Sequence, residues 1–441
     1  MTPAERCPRC GAVVEPAADG GARCPACLLA LAAEEAEGTV GGGSIAAGEA
    51  AAGAGIADRG GAPAGGELPT PLAGASAPLG TDRIGPYRLL ERIGEGGMGE
   101  VWLAEQQAPI RRRVALKLIK PGMGSREVVA RFEAERQALA LMGHPGIARV
   151  LDAGAAPDGR PFFVMEHVAG VPITEYCDRH RLATRERLEL FVAVCRAIHH
   201  AHQRGILHRD VKPSNVLVAL EEGRPTPKVI DFGLAKALNQ RLTEKTLYTQ
   251  RGLFVGTPAY MSPEQAAGGA LDLDVTTDVY SLGVLLYELL TGALPFDPER
   301  LRRAGLAEVE RILREEAPPR PSTRVSAAGA DSAEAAVRRG SDPPALARQL
   351  RGDLDWIALR ALEKDRTRRY PSASELAADV ERHLRREPVL ARPPSLAYRV
   401  GRLAARHKVG FATATALLVL LVGFAATMAV QSARLARQRD R

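Results

Sequence analysis

The spacing of apolar and polar positions divides the chain of 441 residues into stretches of different character. Between residues 84 and 386 the apolar residues recur at strand and helix periods, with strands favoured at 87–93 and 101–105. Residues 29–83 are instead rich in Ala, Gly and Pro and nearly devoid of aromatic and β-branched side chains. Such a stretch cannot bury enough apolar surface to offset chain entropy. We therefore predict a flexible linker at 29–83 and a two-lobed domain at 84–386, with a surface excursion in its Ala, Gly and Ser-rich part at 326–344.

The most apolar stretch lies near the C-terminal end. Residues 409–430 (VGFATATALLVLLVGFAATMAV) hold 22 positions without a charge. At 1.5 Å per residue they would form about 33 Å of helix, enough to cross a bilayer core. The alternative is a helix buried in a globular core, although only the polar residues 431–441 follow. We predict one transmembrane helix at 409–430 between a basic juxtamembrane segment at 387–408 and a short tail at 431–441. Basic residues flank both sides, so charge does not set the orientation.

Composition and charge narrow the class of protein further. Hydrophobic residues make up 46% and charged residues 25%, which is ordinary for a globular protein. The net charge of +7 would suggest a nucleic-acid binder if it were spread over the chain. Residues 385–441, however, contain 11 Lys or Arg and 2 acidic residues, so the basic tail accounts for more than the whole excess. We therefore expect no nucleic-acid partner.

Two Cys-x-x-Cys pairs stand near the N-terminus, Cys7 with Cys10 and Cys24 with Cys27. Four thiolates from two tight turns complete the closed tetrahedral shell that structural zinc prefers. The alternative is a pair of redox dithiols, but no βαβ pattern surrounds them. We predict a zinc-ribbon-like motif at 1–28 that binds one structural Zn²⁺.

A glycine-rich run, IGEGGMGEV, occupies residues 93–101. The pattern G-x-G-x-x-G is weak evidence alone, since dinucleotide-binding turns share it. Here β-like stretches flank the run on both sides and predict a hairpin, whereas a dinucleotide fingerprint opens a helix. Its glycines would let backbone amides approach the phosphates of a nucleotide without interference from a Cβ atom.

Four more motifs follow in order: VALK at 114–117, LHRDVKPSN at 207–215, VIDFG at 229–233 and SPE at 262–264. A helix predicted at 126–142 places Glu135 where it could reach Lys117. With the glycine-rich run, these motifs resemble those of the eukaryotic-type protein kinases, and more closely the bacterial transmembrane serine/threonine kinases. The resemblance covers residues 84 to about 386 and implies an α+β, two-lobed protein kinase fold.

The resemblance also implies a nucleotide site. Lys117 would hold the α and β phosphates of ATP, oriented by an ion pair with Glu135. Asn215 and Asp231 would bind Mg²⁺ or Mn²⁺, for which carboxylate and amide oxygens are suitable ligands. The implied nucleotide and metal contacts are Gly94, Glu95, Gly96, Gly97, Gly99, Val101, Ala115, Lys117, Glu166, Val168, Asn215 and Asp231.

The chemical step is assigned by the same resemblance. Asp210 would accept or orient the proton of the substrate hydroxyl, and Lys212 would neutralise the transferred γ-phosphate. The backbone of Glu166 and Val168, just after Met165, would clamp the adenine.

Two further positions match structural roles of the family. Asp278 would support the backbone of the catalytic loop, and Glu264 would pair with Arg369 to hold the substrate-binding segment. Lys212, together with Gly-Thr-Pro at 256–258, resembles the serine/threonine class.

Histidines and lone cysteines are assigned no chemistry. His199, His200 and His202 have no carboxylate or cysteine partner at metal-binding spacing, so we expect packed or solvated side chains. Cys177 and Cys195 are expected to be ordinary buried thiols.

The function implied by the resemblance is ATP-dependent phosphorylation of Ser/Thr hydroxyls of proteins. Activation would follow autophosphorylation at Thr243, Thr246 and Thr249, in a homodimer that phosphorylates in trans, with the phosphate read by Arg209. Because ATP is cytoplasmic, the kinase domain would lie on the cytoplasmic side of the cell inner membrane, with residues 431–441 outside it. The alternative is a membrane-tethered pseudokinase that only binds partners through the kinase fold and the zinc ribbon.

Overall fold

The computed structural model describes residues 83–96, 99–120, 142–232, 258–268, 273–327, 329–393 and 408–439. Several predictions concern residues outside these ranges. They are the cysteines predicted to bind zinc (Cys7, Cys10, Cys24 and Cys27), the predicted linker up to residue 82, Gly97, Glu135, and the threonines Thr243, Thr246 and Thr249.

The first lobe is a six-stranded antiparallel sheet with the order β1-β2-β3-β4-β6-β5. Its strands are β1 (Arg83–Ile84), β2 (Tyr87–Gly96), β3 (Gly99–Gln106), β4 (Arg112–Ile119), β5 (Val150–Ala155) and β6 (Pro161–Glu166). The apolar residues of β4 fill this lobe because Val114, Leu116 and Leu118 are almost fully buried. In β2 and β3 the register ends with Gly96 opposite Gly99, so the predicted glycine-rich hairpin is confirmed.

A small three-stranded antiparallel sheet lies at the start of the second lobe. It consists of β7 (Gly170–Pro172), β8 (Val216–Glu221) and β9 (Arg224–Val229), in that order. The backbone of Val229 exchanges hydrogen bonds with residues 146 and 148 just before β5, at 2.9 and 3.0 Å. These bonds fix the end of β9 beside the first lobe, and Asp231 follows two residues later.

The rest of the second lobe is helical. Its helices are α1 (Ile173–Arg179), α2 (Thr184–His202), α3 (Pro263–Ala266), α4 (Val275–Thr291), α5 (Pro298–Arg303), α6 (Leu306–Glu315), α7 (Pro321–Ala327), α8 (Gly329–Val337), α9 (Pro343–Leu350), α10 (Asp353–Ala361) and α11 (Ala373–Leu384).

The central helix of this lobe, α4, is apolar on every side and buried along almost its whole length. It begins where the side chain of Asp274 accepts a hydrogen bond from the Thr276 amide at 2.7 Å. It ends at Gly292, whose φ of +77° is the left-handed conformation that glycine adopts readily. Around it, the predicted two-lobed α+β architecture is present.

The stretch 326–344, predicted as a surface excursion, is mostly exposed, but it is helical and attached to the core. Helix α8 lies in this stretch, and Ala336 and Arg339 are buried. The guanidinium of Arg339 donates to the carbonyls of Leu289 and Glu288, both at 3.0 Å, and so binds the end of α4. Composition alone did not reveal that Arg339 in this stretch is buried and hydrogen-bonded to the end of α4.

Helix α12 spans Lys408–Arg439 and includes the stretch predicted to cross a membrane. Its large apolar side chains are exposed where they are described, among them Leu420 and Phe424 at 69% and 66%. Over the described residues, whose side chains run without a break only from 416 to 432, no helix is both long and apolar enough to span a membrane. The transmembrane helix predicted at 409–430 is therefore not confirmed.

Candidate active site

Three predicted site residues meet in the loop between α2 and β8: Asp210 and Lys212, predicted for catalysis, and Asn215, predicted to bind the metal ion. The Oδ2 atom of Asp210 lies 2.8 Å from Nζ of Lys212. The Asn215 side-chain amide donates to the Asp210 carbonyl at 2.8 Å and to its Oδ2 at 3.1 Å. The carboxylate is therefore aimed by two neighbours from its own loop, and Lys212 brings a positive charge to the same point.

Asp278 of α4 holds this loop through hydrogen bonds, and its side chain is only 1% exposed. Its Oδ2 accepts from the His208 amide at 2.8 Å, and its Oδ1 accepts from the Arg209 amide at 2.7 Å. Nε2 of His202 lies 2.7 Å from Oδ2. Burial alone would raise the pKa of this carboxyl, but the hydrogen bonds and the positive potential of His202 hold it below its usual range. The predicted supporting role of Asp278 is confirmed, and the structure gives His202 a partner that sequence reasoning missed.

Two residues of the site adopt left-handed backbone conformations without being glycine. Arg209 has φ of +62° and Asp231 has φ of +59°. Each such residue costs about 1–3 kcal/mol and persists only where its surroundings enforce it. Arg209 precedes Asp210, and Asp231 is itself a predicted metal ligand, so two of the five such residues in the described ranges lie at the site.

His208 links the catalytic loop to the end of β9. Its Nδ1 accepts from the Asp210 amide at 3.3 Å, so Nε2 carries the proton that it donates to the Ile230 carbonyl at 3.0 Å. The imidazole ring lies 4.8 Å from the ring of Phe232. Burial lowers the pKa of His208, in agreement with this neutral tautomer.

Lys117, predicted to bind phosphate, and Asp231, predicted to bind a metal ion, are in contact. Lys117 Nζ lies 2.7 Å from Asp231 Oδ2, across a sequence separation of 114 residues. Asn215 is brought to the same place, because its carbonyl accepts from the Ile230 amide at 2.9 Å. The predicted partner of Lys117, Glu135, lies outside the described residues.

The glycine-rich hairpin has room where a nucleotide would need it. A Cβ atom at Gly96 would meet nothing within 4 Å, and one at Gly94 would make only ordinary contact with Val101. At Gly99, by contrast, a Cβ would lie 2.2 Å from the Leu118 carbonyl oxygen. Among the described glycines of this run, strand packing therefore requires glycine only at position 99, while positions 94 and 96 leave open space beside the sheet.

The segment joining the lobes begins at Met165 and Glu166. Met165 is buried and pairs with Ala115 of β4, which is also buried. The Glu166 carboxylate accepts from Lys228 Nζ at 2.5 Å, and Lys228 also lies 2.7 Å from Glu221. Burial alone would lower the pKa of Lys228, but the carboxylates of Glu166 and Glu221 outweigh this effect and raise the pKa above its ordinary value. Glu166 thus ties the connecting segment to β9, a contact that the sequence did not reveal.

The Ser-Pro-Glu segment at 262–264 is anchored to the helical lobe, as predicted. Glu264 accepts two hydrogen bonds from the Arg369 guanidinium at 2.7 and 2.8 Å, and a third from the Thr277 hydroxyl at 2.9 Å. Burial tends to raise the pKa of Glu264, but Arg369 lowers it below its usual range. The predicted Glu264–Arg369 pair is therefore confirmed.

The remaining expectations concern metals and thiols. Asn215 and Asp231 offer the oxygen donors that Mg²⁺ or Mn²⁺ prefers, with Lys117 alongside for phosphate, so the donor set fits a nucleotide with its metal. Within the described ranges no cluster of three or more His, Cys, Asp or Glu side chains could hold a metal. Cys177 and Cys195 are buried thiols, as expected, and burial raises the pKa of Cys177 to about 11.

Comparison with known proteins places this site in a family. The family described as protein kinase domain matches residues 87–376. The chain is 36% identical over 333 residues to the serine/threonine-protein kinase Pkn1 of Myxococcus xanthus, covering 74% of this chain and 43% of the relative. It is 36% identical over 301 residues to the serine/threonine-protein kinase PknB of Mycolicibacterium smegmatis, covering 67% and 42%.

The chain therefore belongs to the protein kinase family, and the prediction of a serine/threonine-type protein kinase domain is confirmed. It spans about half or less of the length of these curated relatives. Family membership implies ATP with Mg²⁺ or Mn²⁺.

The titration of five histidines predicts an acid-sensitive domain. Full burial of His208, and partial burial of His144, His167, His200 and His383, lower their pKa values below the ordinary value of about 6.5. The unfolded chain then binds more protons than the folded one below pH 6.5, so the free energy of unfolding falls as the pH falls.

We expect the melting temperature to drop by about 3 °C or more between pH 7.5 and 5.5. His200→Gln should make this drop shallower, because it removes one of these groups and relieves the repulsion with His144. Calorimetry at both pH values measures the effect. A melting temperature at pH 5.5 that equals or exceeds the value at pH 7.5 would contradict the inference that the fold lowers the pKa of these histidines.

Proposed function

We propose that the chain transfers the γ-phosphate of ATP to Ser or Thr hydroxyls of proteins. The observation that carries the proposal is the Asp210, Lys212 and Asn215 cluster beside the Lys117–Asp231 pair. Asn215 and Asp231 would hold the metal ion, which would neutralise negative charge on the nucleotide phosphates when bound. Lys117 binds the nucleotide phosphates, and Lys212 offsets negative charge at the transferred group.

Asp210 is the group that orients the attacking hydroxyl. Its Oδ2 is occupied by Lys212 and Asn215, so its position is fixed before substrate arrives. A Ser or Thr hydroxyl that donates to this carboxylate has its oxygen lone pair free for in-line attack on the phosphorus. The substrate proton passes to the Asp210 carboxylate as the new P–O bond forms and the bond to the leaving oxygen breaks.

The assay that tests the proposal is transfer of label from γ-labelled ATP to a generic acceptor protein. Asp210→Asn keeps the shape of the side chain but removes its negative charge, and it should lower the rate by about 100-fold or more. The alternative, a pseudokinase that serves only as a scaffold, predicts equal background labelling by the two proteins. That result would reject the enzyme function.

We further propose activation by autophosphorylation in trans within a homodimer, at Thr243, Thr246 and Thr249. Support comes from Arg209, a cation beside Asp210 that a phosphate could engage through two hydrogen bonds. Preincubation with ATP should raise activity and phosphatase should lower it. A variant with all three threonines changed to Ala should show neither response, and full phosphatase-insensitive activity in that variant would place the switch elsewhere.

Membrane anchoring through residues 409–430 is also proposed, with the kinase domain on the cytoplasmic side of the inner membrane. Support comes from the 22 uncharged positions and from the exposure of apolar side chains such as Leu420 and Leu421 in α12. The full chain should stay with membranes during an alkaline wash. Leu420→Arg with Leu421→Arg should release it, since each central arginine costs about 2.5–3.5 kcal/mol on insertion. Release of the unaltered chain by the wash would refute the anchor.

A structural zinc site at Cys7, Cys10, Cys24 and Cys27 is proposed on the spacing of these residues alone. Metal analysis of the purified chain should give one zinc per molecule, lost when Cys7 and Cys10 are changed to Ser. Unaltered protein without zinc would refute the site.

A further inference from the structure

The peptide bonds before and after Arg209 are each hydrogen-bonded by a side chain from another segment. Asp278 holds the amide of Arg209 from α4, as described above. In the following peptide, which joins Arg209 to Asp210, Nε2 of Gln265 donates to the Arg209 carbonyl at 2.9 Å. That carbonyl belongs to the peptide that leads directly into Asp210, so the Gln265 contact sets the orientation of the peptide next to the reacting carboxylate.

Gln265 is itself held in one orientation. Its side-chain Oε1 accepts from the Ser262 backbone amide at 3.1 Å. The backbone amide of Gln265 donates to Ser262 Oγ at 3.3 Å. Ser262 is fully buried. Because Oε1 is committed to an N–H donor, Nε2 is the end of the amide that faces the Arg209 carbonyl, where only a donor is favourable.

The segment that carries Gln265 is firmly attached to the helical lobe. Glu264, the residue before it, is bound by Arg369 and by Thr277 of α4. Gln265 therefore connects the anchored Ser-Pro-Glu segment to a catalytic loop whose Arg209 has an unfavourable left-handed conformation, with φ of +62°. The hydrogen bond from Gln265 joins these two segments at the Arg209 carbonyl, while Asp278 binds the Arg209 amide.

We propose that Gln265 is a positioning residue for phosphoryl transfer, acting on Asp210 through the Arg209 carbonyl. The inference rests on the proposed kinase function. It assigns to Gln265 a role separate from capping the short helix α3, although one side chain does both. The donor at Nε2 serves the catalytic loop, and the acceptor at Oε1 serves the cap.

Two substitutions separate these roles. Gln265→Glu keeps an acceptor for the Ser262 amide but loses the donor to Arg209. Gln265→Lys keeps a donor that reaches the Arg209 carbonyl but loses the acceptor for Ser262. We expect Gln265→Glu to lower kcat by about three- to tenfold, the equivalent of one hydrogen bond, with KM for ATP unchanged because Lys117 and Asp231 are untouched. Gln265→Lys should retain kcat within about twofold of the unaltered chain.

Melting temperatures and steady-state kinetics of the unaltered chain and both variants decide the matter. A lower kcat in Gln265→Glu than in Gln265→Lys, with similar melting temperatures, supports the proposal. The reverse order would show that Gln265 is only a cap, and equal kcat values in the two variants would also overturn the proposal. An inactive unaltered chain, alongside inactive Asp210→Asn, would instead reject the kinase function itself.

Discussion

The geometry of the whole site depends on one buried carboxylate, that of Asp278. It lies at the start of α4, the most buried helix described, and it accepts hydrogen bonds from two successive backbone amides of the catalytic loop. A buried charge is tolerated only when it is fully hydrogen-bonded, and leaving it unpaired costs about 3–5 kcal/mol. The loop is therefore held where these amides meet Asp278, and Arg209 adopts its left-handed backbone conformation at that attachment.

Further contacts connect the catalytic loop to the end of β9 and to the sheet lobe. His208 binds the Ile230 carbonyl just after β9, and the next residue, Asp231, has a left-handed conformation of its own. Lys117 then joins Asp231 to the sheet lobe. The residues proposed for catalysis and for nucleotide binding thus belong to one connected set of contacts that begins at Asp278 in the helical lobe. They are Asp210, Asn215, Asp231 and Lys117.

Motif order was sufficient to predict the two-lobed fold, the glycine-rich hairpin and the positions of Asp210, Lys212 and Asn215. It also gave the Glu264–Arg369 pair, because both residues belong to recognisable patterns. It could not give His202, Lys228 or Gln265, whose roles arise only when distant segments meet. The buried Arg339 was missed for a related reason: its stretch is rich in small residues, and burial there depends on the carbonyls at the end of α4.

The most direct test of the account is native-state hydrogen exchange at the amides of His208 and Arg209. We predict slow exchange in the unaltered chain and exchange at least about tenfold faster in Asp278→Asn, since one acceptor is lost. The amide of Val218 in β8 should be unchanged in both proteins and shows that the fold is intact. Equal exchange at His208 and Arg209 in the two proteins would contradict the claim that Asp278 holds the catalytic loop.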